Sequence, residues 1–307
     1  MPTHPFHPYR GTVEFIEIES EAVAGNVLGD PSTRRVAVYL PPGYHESGED
    51  YPLFVDLVGF SGSGLAHLNW RPFGESVLQR LDRLVDEGRM GPVILVLPDC
   101  FTSLGGNQYI DSAAMGRWES FLIDEMIPAV EERFRVCRGR EHRAVFGKSS
   151  GGYGAIVHGL RRADAWGAVG CHSGDMGFLT CYAGDFPKLL DALADHGREI
   201  ADLLAHYEGK PKLTSAELHN LMTIAMAATY DPDPSQPKGI RLPVDLYTGE
   251  FLPDRWANWL RHDPLELVQQ PDCLDNLRSL RAVYIDCGSS DQYGLVYGAR
   301  AFVRRLN

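Results

Sequence analysis

The residues in this 307-residue sequence best placed to do chemistry are a serine and the glycines around it. Ala144-Val145-Phe146 runs straight into Gly147-Lys148-Ser149-Ser150-Gly151, with Gly152 and Gly154 behind. Residues 155–160 read as a helix. An apolar strand, a tight turn and a helix are the setting in which a G-x-S-x-G serine stands out at a strand tip as a nucleophile. Bulky neighbours would clash there, so glycine flanks the serine. The following helix turns its unpaired N–H groups and partial positive charge toward a developing oxyanion. The chemistry implied is attack on an acyl carbonyl through a covalent intermediate. The bare pattern is equally that of an ordinary turn in a chain with 32 glycines. A phosphate-binding loop shares the letters Gly147-Lys148-Ser149, but it requires glycine at position 142, which is His142. Ser150 is a second hydroxyl, out of frame with the two glycines.

A serine hydroxyl needs a base, usually histidine, oriented by a carboxylate. On this type of turn the chain order is serine, then Asp or Glu, then histidine. Asp291 stands just past the apolar run 281–287, where the orienting acid belongs. Its plainer reading is a turn aspartate after Gly288-Ser289-Ser290. Two backbone N–H groups must meet the oxyanion. Ser150 is expected to supply one; Phe60 or, equally, Ser61 supplies the other from the glycine loop 59–64, which is otherwise a flexible turn. All eleven histidines lie at or before His262, and none follows Asp291. Either the histidine is expected beyond Asn307, in a longer chain, or the base is non-standard. No catalytic histidine is assigned. His172 is nearest by position and reads as a hydrogen-bonded structural residue; His67 and His262 are weaker candidates.

These residues need a scaffold. Residues 12–20 and 35–40 alternate as two antiparallel strands. Runs 51–58 and 92–97 are almost wholly apolar, as in strands covered on both faces. Residues 71–88 and 118–134 carry apolar residues at helical spacing. Strands over 165–170 and 281–287 and a helix over 293–307 complete the pattern. The alternation gives an α/β class: a mostly parallel sheet with helices on both faces. Between about 178 and 263 it is interrupted. Residues 185–207 look helical, Thr214-Ser215-Ala216-Glu217 is a capping box opening another helix, and residues 231–243 are proline-rich. The expectation is one domain over 1–307 with a helical cap insertion at approximately 178–263. Its aromatics Tyr230, Tyr247, Trp256 and Trp259 line an acyl or aryl pocket or form the core of the cap.

The formal charge of −12 argues against nucleic acid and anionic membrane as partners. There is no apolar run near the roughly 18 residues of a membrane span, and the N-terminus lacks an apolar signal core. A cytoplasmic protein is expected. The six cysteines form no C-x-x-C pair, so neither a metal site nor a disulfide framework is signalled. No cofactor is called, and homo-oligomerisation is left open.

Taken in order, several stretches resemble the putative-esterase family of α/β-hydrolases, which includes esterase D, enterochelin esterases and antigen 85 mycolyltransferases. They are residues 35–44 (RVAVYLPPGY), Gly59-Phe60, Pro98-Asp99, residues 105–109 (GGNQY), 146–154, 171–175 (CHSGD) and 286–291 (DCGSSD). The resemblance spans most of 11–307 apart from the helical excursion. It implies the α/β-hydrolase fold, with Ser149 as nucleophile, Asp291 as acid, and Phe60 and Ser150 as oxyanion donors. The family's last strand and histidine have no match here. Without that strand the run 281–287 lies at a bare sheet edge, so completion by another chain or lowered stability is expected. The function expected is a serine carboxylic-ester hydrolase acting on a small-molecule ester. An acyltransferase on the same nucleophile and a catalytically inactive binding module are the alternatives.

Overall fold

The computed structural model describes residues 6–306. Residues 1–5, the start of the stretch read for a signal core, and Asn307 lie outside the described residues. The strands are β1 (Thr12–Glu19), β2 (Thr33–Leu40), β3 (Leu53–Leu57), β4 (Ile94–Pro98), β5 (Arg143–Lys148), β6 (Ala168–His172) and β7 (Ala282–Asp286). They form a seven-stranded sheet in the order β1-β2-β4-β3-β5-β6-β7. β1 and β2 pair antiparallel, as their alternation requires, and β2 joins β4 antiparallel. From β4 to β7 every pairing is parallel.

Side-chain alternation sorts the sheet's two faces. Leu53, Val55 and Leu57 of β3 enter the main core, with Val145 of β5. Phe54 and Phe146 point to the other face, against a smaller cluster. On the main face lies α3 (Ser150–Arg161), buried along almost its whole length, with α2 (Ile127–Arg133) and α8 (Pro271–Arg278) nearby. On the other face α1 (Val77–Asp86) buries Leu78 and Leu81. Between α1 and the β7 edge this second face holds an apolar hollow of about 740 Å³, lined by Leu84, Met90, Phe54, Phe146 and Tyr284 among others. β7 is an edge strand, with Val283 37% and Tyr284 57% exposed.

Three expected helices change their bounds for local reasons. The run 71–88 is helical only from Val77, because Ser76 and Gln79 close a capping box there. The run 118–134 contains a π-helical segment, Phe121–Met126. Pro128, in the first turn of α2, has no N–H to give the Asp124 carbonyl, and such a gap accompanies a wider turn. The run 185–207 is two helices, α4 (Phe186–Ala194) and α5 (Ile200–Glu208). Gly197 and Arg198, both at positive φ, break it. The excursion continues through α6 (Ser215–Tyr230), opened by the expected Thr214–Glu217 box, and α7 (Pro253–Leu260). Tyr230 and Trp259 are buried among Phe178, Tyr182 and Phe186. Trp256 packs on Phe186 and Phe251, and Tyr247 is 81% exposed. Of the two readings offered for these aromatics, the core of the excursion is the one the structure realises for Tyr230, Trp256 and Trp259. No helix among the described residues is long and apolar enough to cross a membrane.

Candidate active site

Ser149 ends β5 and precedes α3 with φ 57° and ψ −123°. For a residue with a Cβ this is strained backbone, held only where the surroundings over-determine it. The surroundings are backbone. A Cβ on Gly147 would stand 2.3 Å from the Leu57 carbonyl oxygen, and one on Gly152 would stand 2.8 Å from that of His172. The Ser149 N–H donates to the His172 carbonyl (2.9 Å), and the Tyr153 N–H donates to that of Ser149 (2.9 Å). The glycines flanking the serine are therefore there for close approach as well as for the turn.

Two N–H groups stand ready near it. Ser150 is the first residue of α3, so its N–H is among those with no acceptor inside the helix. The Phe60 N–H has no hydrogen-bond partner among the described residues. Its loop is fixed from outside. The Gly106 N–H donates to the Phe60 carbonyl (2.6 Å), and a Cβ on Gly106 would come within 2.5 Å of that oxygen. The Tyr109 hydroxyl donates to the Val58 carbonyl (2.7 Å). Gly59 lies against the Ser149 side chain, a Cβ there falling 3.4 Å from the serine's own.

Ser149, Phe60 and Ser61 share the wall of a cavity of about 470 Å³ at the C-terminal ends of the parallel strands. Helix α6 supplies the opposite wall, with Ser215, Leu218, His219 and Met222. The segment after β7 supplies Gln292, Tyr293 and Leu295. Asp291 does not line this cavity. Its Oδ1 accepts the N–H groups of Tyr293 (2.9 Å) and Leu295 (3.1 Å), opening helix α9 (Leu295–Leu306). No histidine hydrogen-bonds to it among the described residues. Asp291 thus holds the turn that opens α9.

His67, His172 and His219 border the two cavities. His172 turns toward the large hollow, its Nδ1 2.9 Å from Asp286 Oδ1 and its ring against Tyr284. His262 is half-buried and lines neither, and desolvation pushes its imidazole down to about 4. His67 borders both cavities, and its Nδ1 lies 2.5 Å from Oδ2 of the buried Asp56. His219 is on the cavity wall with its ring against Tyr293. The sequence ranked His67 low and did not single out His219. Asp56 in an otherwise apolar strand was the available signal for the first. For the second there was none, because the excursion brings it back from about seventy positions away.

At the floor, Asp175 is 5% exposed. Its Oδ2 accepts from the Tyr182 hydroxyl (2.8 Å) and Gln108 Nε2 (3.3 Å), and the same Nε2 lies 3.0 Å from Ser150 Oγ. Burial pushes the Asp175 carboxyl up to about 6 despite these donors. No group of three or more His, Cys, Asp and Glu side chains able to hold a metal ion occurs among the described residues.

A strained serine on a strand-to-helix turn beside two free N–H groups is found in many hydrolases, and sequence comparison places this one. The sequence model of the family described as Putative esterase matches residues 30–297. The chain belongs to that esterase family. Among curated relatives, this family member is 30% identical over 163 residues to an esterase of Mycobacterium tuberculosis, covering 51% of this chain and 34% of that protein. It is 29% identical over 173 residues to an endo-1,4-beta-xylanase/feruloyl esterase of Xylanibacter ruminicola, covering 55% of this chain and 23% of that protein. The match thus spans about a third or less of the length of these relatives. Among solved structures, a ferulic acid esterase superposes with a TM-score of 0.57 at 21% identity, covering 97% of this chain and 86% of that one. The mostly parallel sheet of this esterase-family member is thus the α/β-hydrolase fold.

Proposed function

We propose that this chain is a serine carboxylic-ester hydrolase. The observation that carries the proposal is a strained Ser149 that shares one cavity with Phe60, whose N–H has no partner among the described residues, and that is followed by Ser150 at the N-terminus of α3. Ser149 Oγ attacks the ester carbonyl. The two N–H groups receive the charge that develops on its oxygen, the alcohol departs, and water releases the acid from the acyl-enzyme. Membership of the esterase family supports this reading.

The proton relay has two arrangements. In the first, Asp291 orients a histidine supplied from outside the described residues, through the Oδ2 that its turn leaves free. The second is favoured by the His67–Asp56 pair. A proton on Nδ1 held by Asp56 leaves Nε2 as the acceptor, which is the tautomer a general base needs. His67 borders the same cavity as Ser149.

Hydrolysis of p-nitrophenyl acetate and butyrate tests the reading, beside Ser149→Ala and His67→Gln. Activity lost in Ser149→Ala, with an acyl adduct on the parent by intact mass, is the expected result. Loss in His67→Gln with retained fold assigns the base to His67, and full activity there returns it to the Asp291 arrangement. A folded parent with neither turnover nor adduct overturns the hydrolase reading in favour of a binding module. Added acceptor alcohol separates hydrolysis from acyl transfer by the product formed.

A further inference from the structure

The two N–H groups assigned to the oxyanion sit on different elements, Phe60 on the loop after β3 and Ser150 at the start of α3. A third segment reaches both. It is the stretch 105–109, in the loop after β4, and it is buried throughout. At one end the Gly106 N–H holds the Phe60 carbonyl, and the Phe60 ring lies on Gly105, where a Cβ would come within 2.6 Å of it. Two residues on, Gln108 is fully buried, and its Nε2 lies 3.0 Å from Ser150 Oγ. The stretch is itself tied down. Thr102 and Gly105 exchange backbone hydrogen bonds, Asn107 Nδ2 donates to the Cys100 carbonyl, and the Tyr109 N–H donates to Asn107 Oδ1 (2.6 Å). One braced loop therefore spans two groups that must converge on a single oxygen.

As a stabilising residue Gln108 is costly. Its Oε1 is sealed from solvent and has no donor among the described residues. An apolar side chain of the same length would avoid that loss. Its Nε2 faces three acceptors: Ser150 Oγ, Asp175 Oδ2 (3.3 Å) and Met226 Sδ (3.0 Å). The thioether is the weakest of them. Turning the amide over would set Oε1 against the Asp175 carboxylate, so Asp175 keeps Nε2 on the Ser150 side. Building on the hydrolase reading, we propose that Gln108 is a positioning residue for the oxyanion. Acting through the Ser150 hydroxyl, it keeps the Ser150 N–H aimed at the point that the Phe60 N–H serves. Its part is to place a donor, not to donate to the substrate.

The test is a double-mutant cycle of Gln108→Met, Ser150→Ala and the two combined, assayed on p-nitrophenyl butyrate at pH 7.5. Ser150→Ala keeps the backbone N–H and removes only the tether. Each single variant is expected to lower kcat and kcat/KM together by roughly 10-fold, a fraction of the about 100- to 1,000-fold that follows loss of an oxyanion donor outright. The combined variant should be no more than about 2-fold worse than either single one, because both cut the same link. Parent-like kcat in folded Gln108→Met, with only the melting temperature lowered, makes the residue merely structural and overturns the proposal. Parent-like kcat in Ser150→Ala overturns it as well, and this variant, which loses a single oxygen, decides the matter even where Gln108→Met does not fold. Losses that multiply in the combined variant also overturn it, since the two side chains then act independently. Failure of the hydrolase reading is seen separately, as absent turnover and absent adduct in the parent.

Discussion

The carbonyl oxygen of Leu57 stands 1.9 Å from the point a Cβ on Gly151 would occupy. No side-chain rotation can relieve that contact, because the obstacle is the backbone at the end of β3. Gly151→Ala must push the first turn of α3 away from the strand that carries the Phe60 loop. A loss of about 2–3 kcal/mol in urea unfolding is expected, the range for overpacking a tight interior. On the proposed chemistry, esterase activity should fall by roughly 100-fold in protein that is still folded, because the two N–H groups no longer meet over one oxygen. Wild-type activity in Gly151→Ala would show that the turn at Ser149 tolerates a displacement the contact forbids.

Asp175 gives a pH prediction with a defined sign. Its carboxyl protonates near pH 6 in the folded protein, above the ordinary carboxylate range, because burial disfavours the anion. Between that range and pH 6 the native state binds more protons than the unfolded chain, so Asp175 contributes more stability as pH falls through the window. Asp175→Asn has no such proton. The stability of the parent minus that of the variant should therefore rise by on the order of 2 kcal/mol from pH 7 to pH 4. Urea unfolding of both proteins at several pH values measures it, and a flat or falling difference contradicts it.

Asp263 is buried and ties three N–H groups together. Oδ1 accepts from Gly177 and Leu265 (2.9 Å each), and Oδ2 accepts from Phe178 (2.7 Å). The junction joins the loop after β6 to the end of the helical excursion. Asp263→Ala orphans all three donors and should cost about 3 kcal/mol; Asp263→Asn, keeping one acceptor oxygen, should cost roughly half as much. Thermal melts of the two variants against the parent decide, and equal losses would mean the charge rather than the acceptor count matters.

The exposed β7 edge makes a prediction about association. Tyr284, more than half exposed, sits on a strand whose outer side is unpaired among the described residues, and such edges pair with other chains. Tyr284→Lys should lower self-association in sedimentation velocity while leaving the melting temperature within a degree or so, as an exposed substitution does. Unchanged sedimentation would place any association elsewhere.

The parts legible in the sequence were those set by near neighbours. Apolar runs gave the central strands, the glycine spacing gave the turn at Ser149, and Thr214–Glu217 gave the start of α6. Helix ends were missed where one residue decides: Ser76 as a cap, Pro128 as a missing donor, Gly197–Arg198 as a break. The walls of the cavity were not legible, because His67, Asp175 and His219 meet there only after the sheet and the excursion have folded. Gln108 and Asp175 lay inside quoted stretches, yet nothing in those stretches tells that the two side chains will meet.

The two walls of the cavity come from separate lengths of chain. The strained serine and its free N–H groups are braced by β3, β5, β6 and the Gly106 loop, whereas Leu218, His219 and Met222 arrive on a helix that makes none of those bracing contacts. Rewriting the cavity-lining face of α6 would then change which molecules are admitted without disturbing how a bond is attacked. A scaffold of this kind lets selectivity drift quickly while reactivity stays under a much stricter backbone constraint.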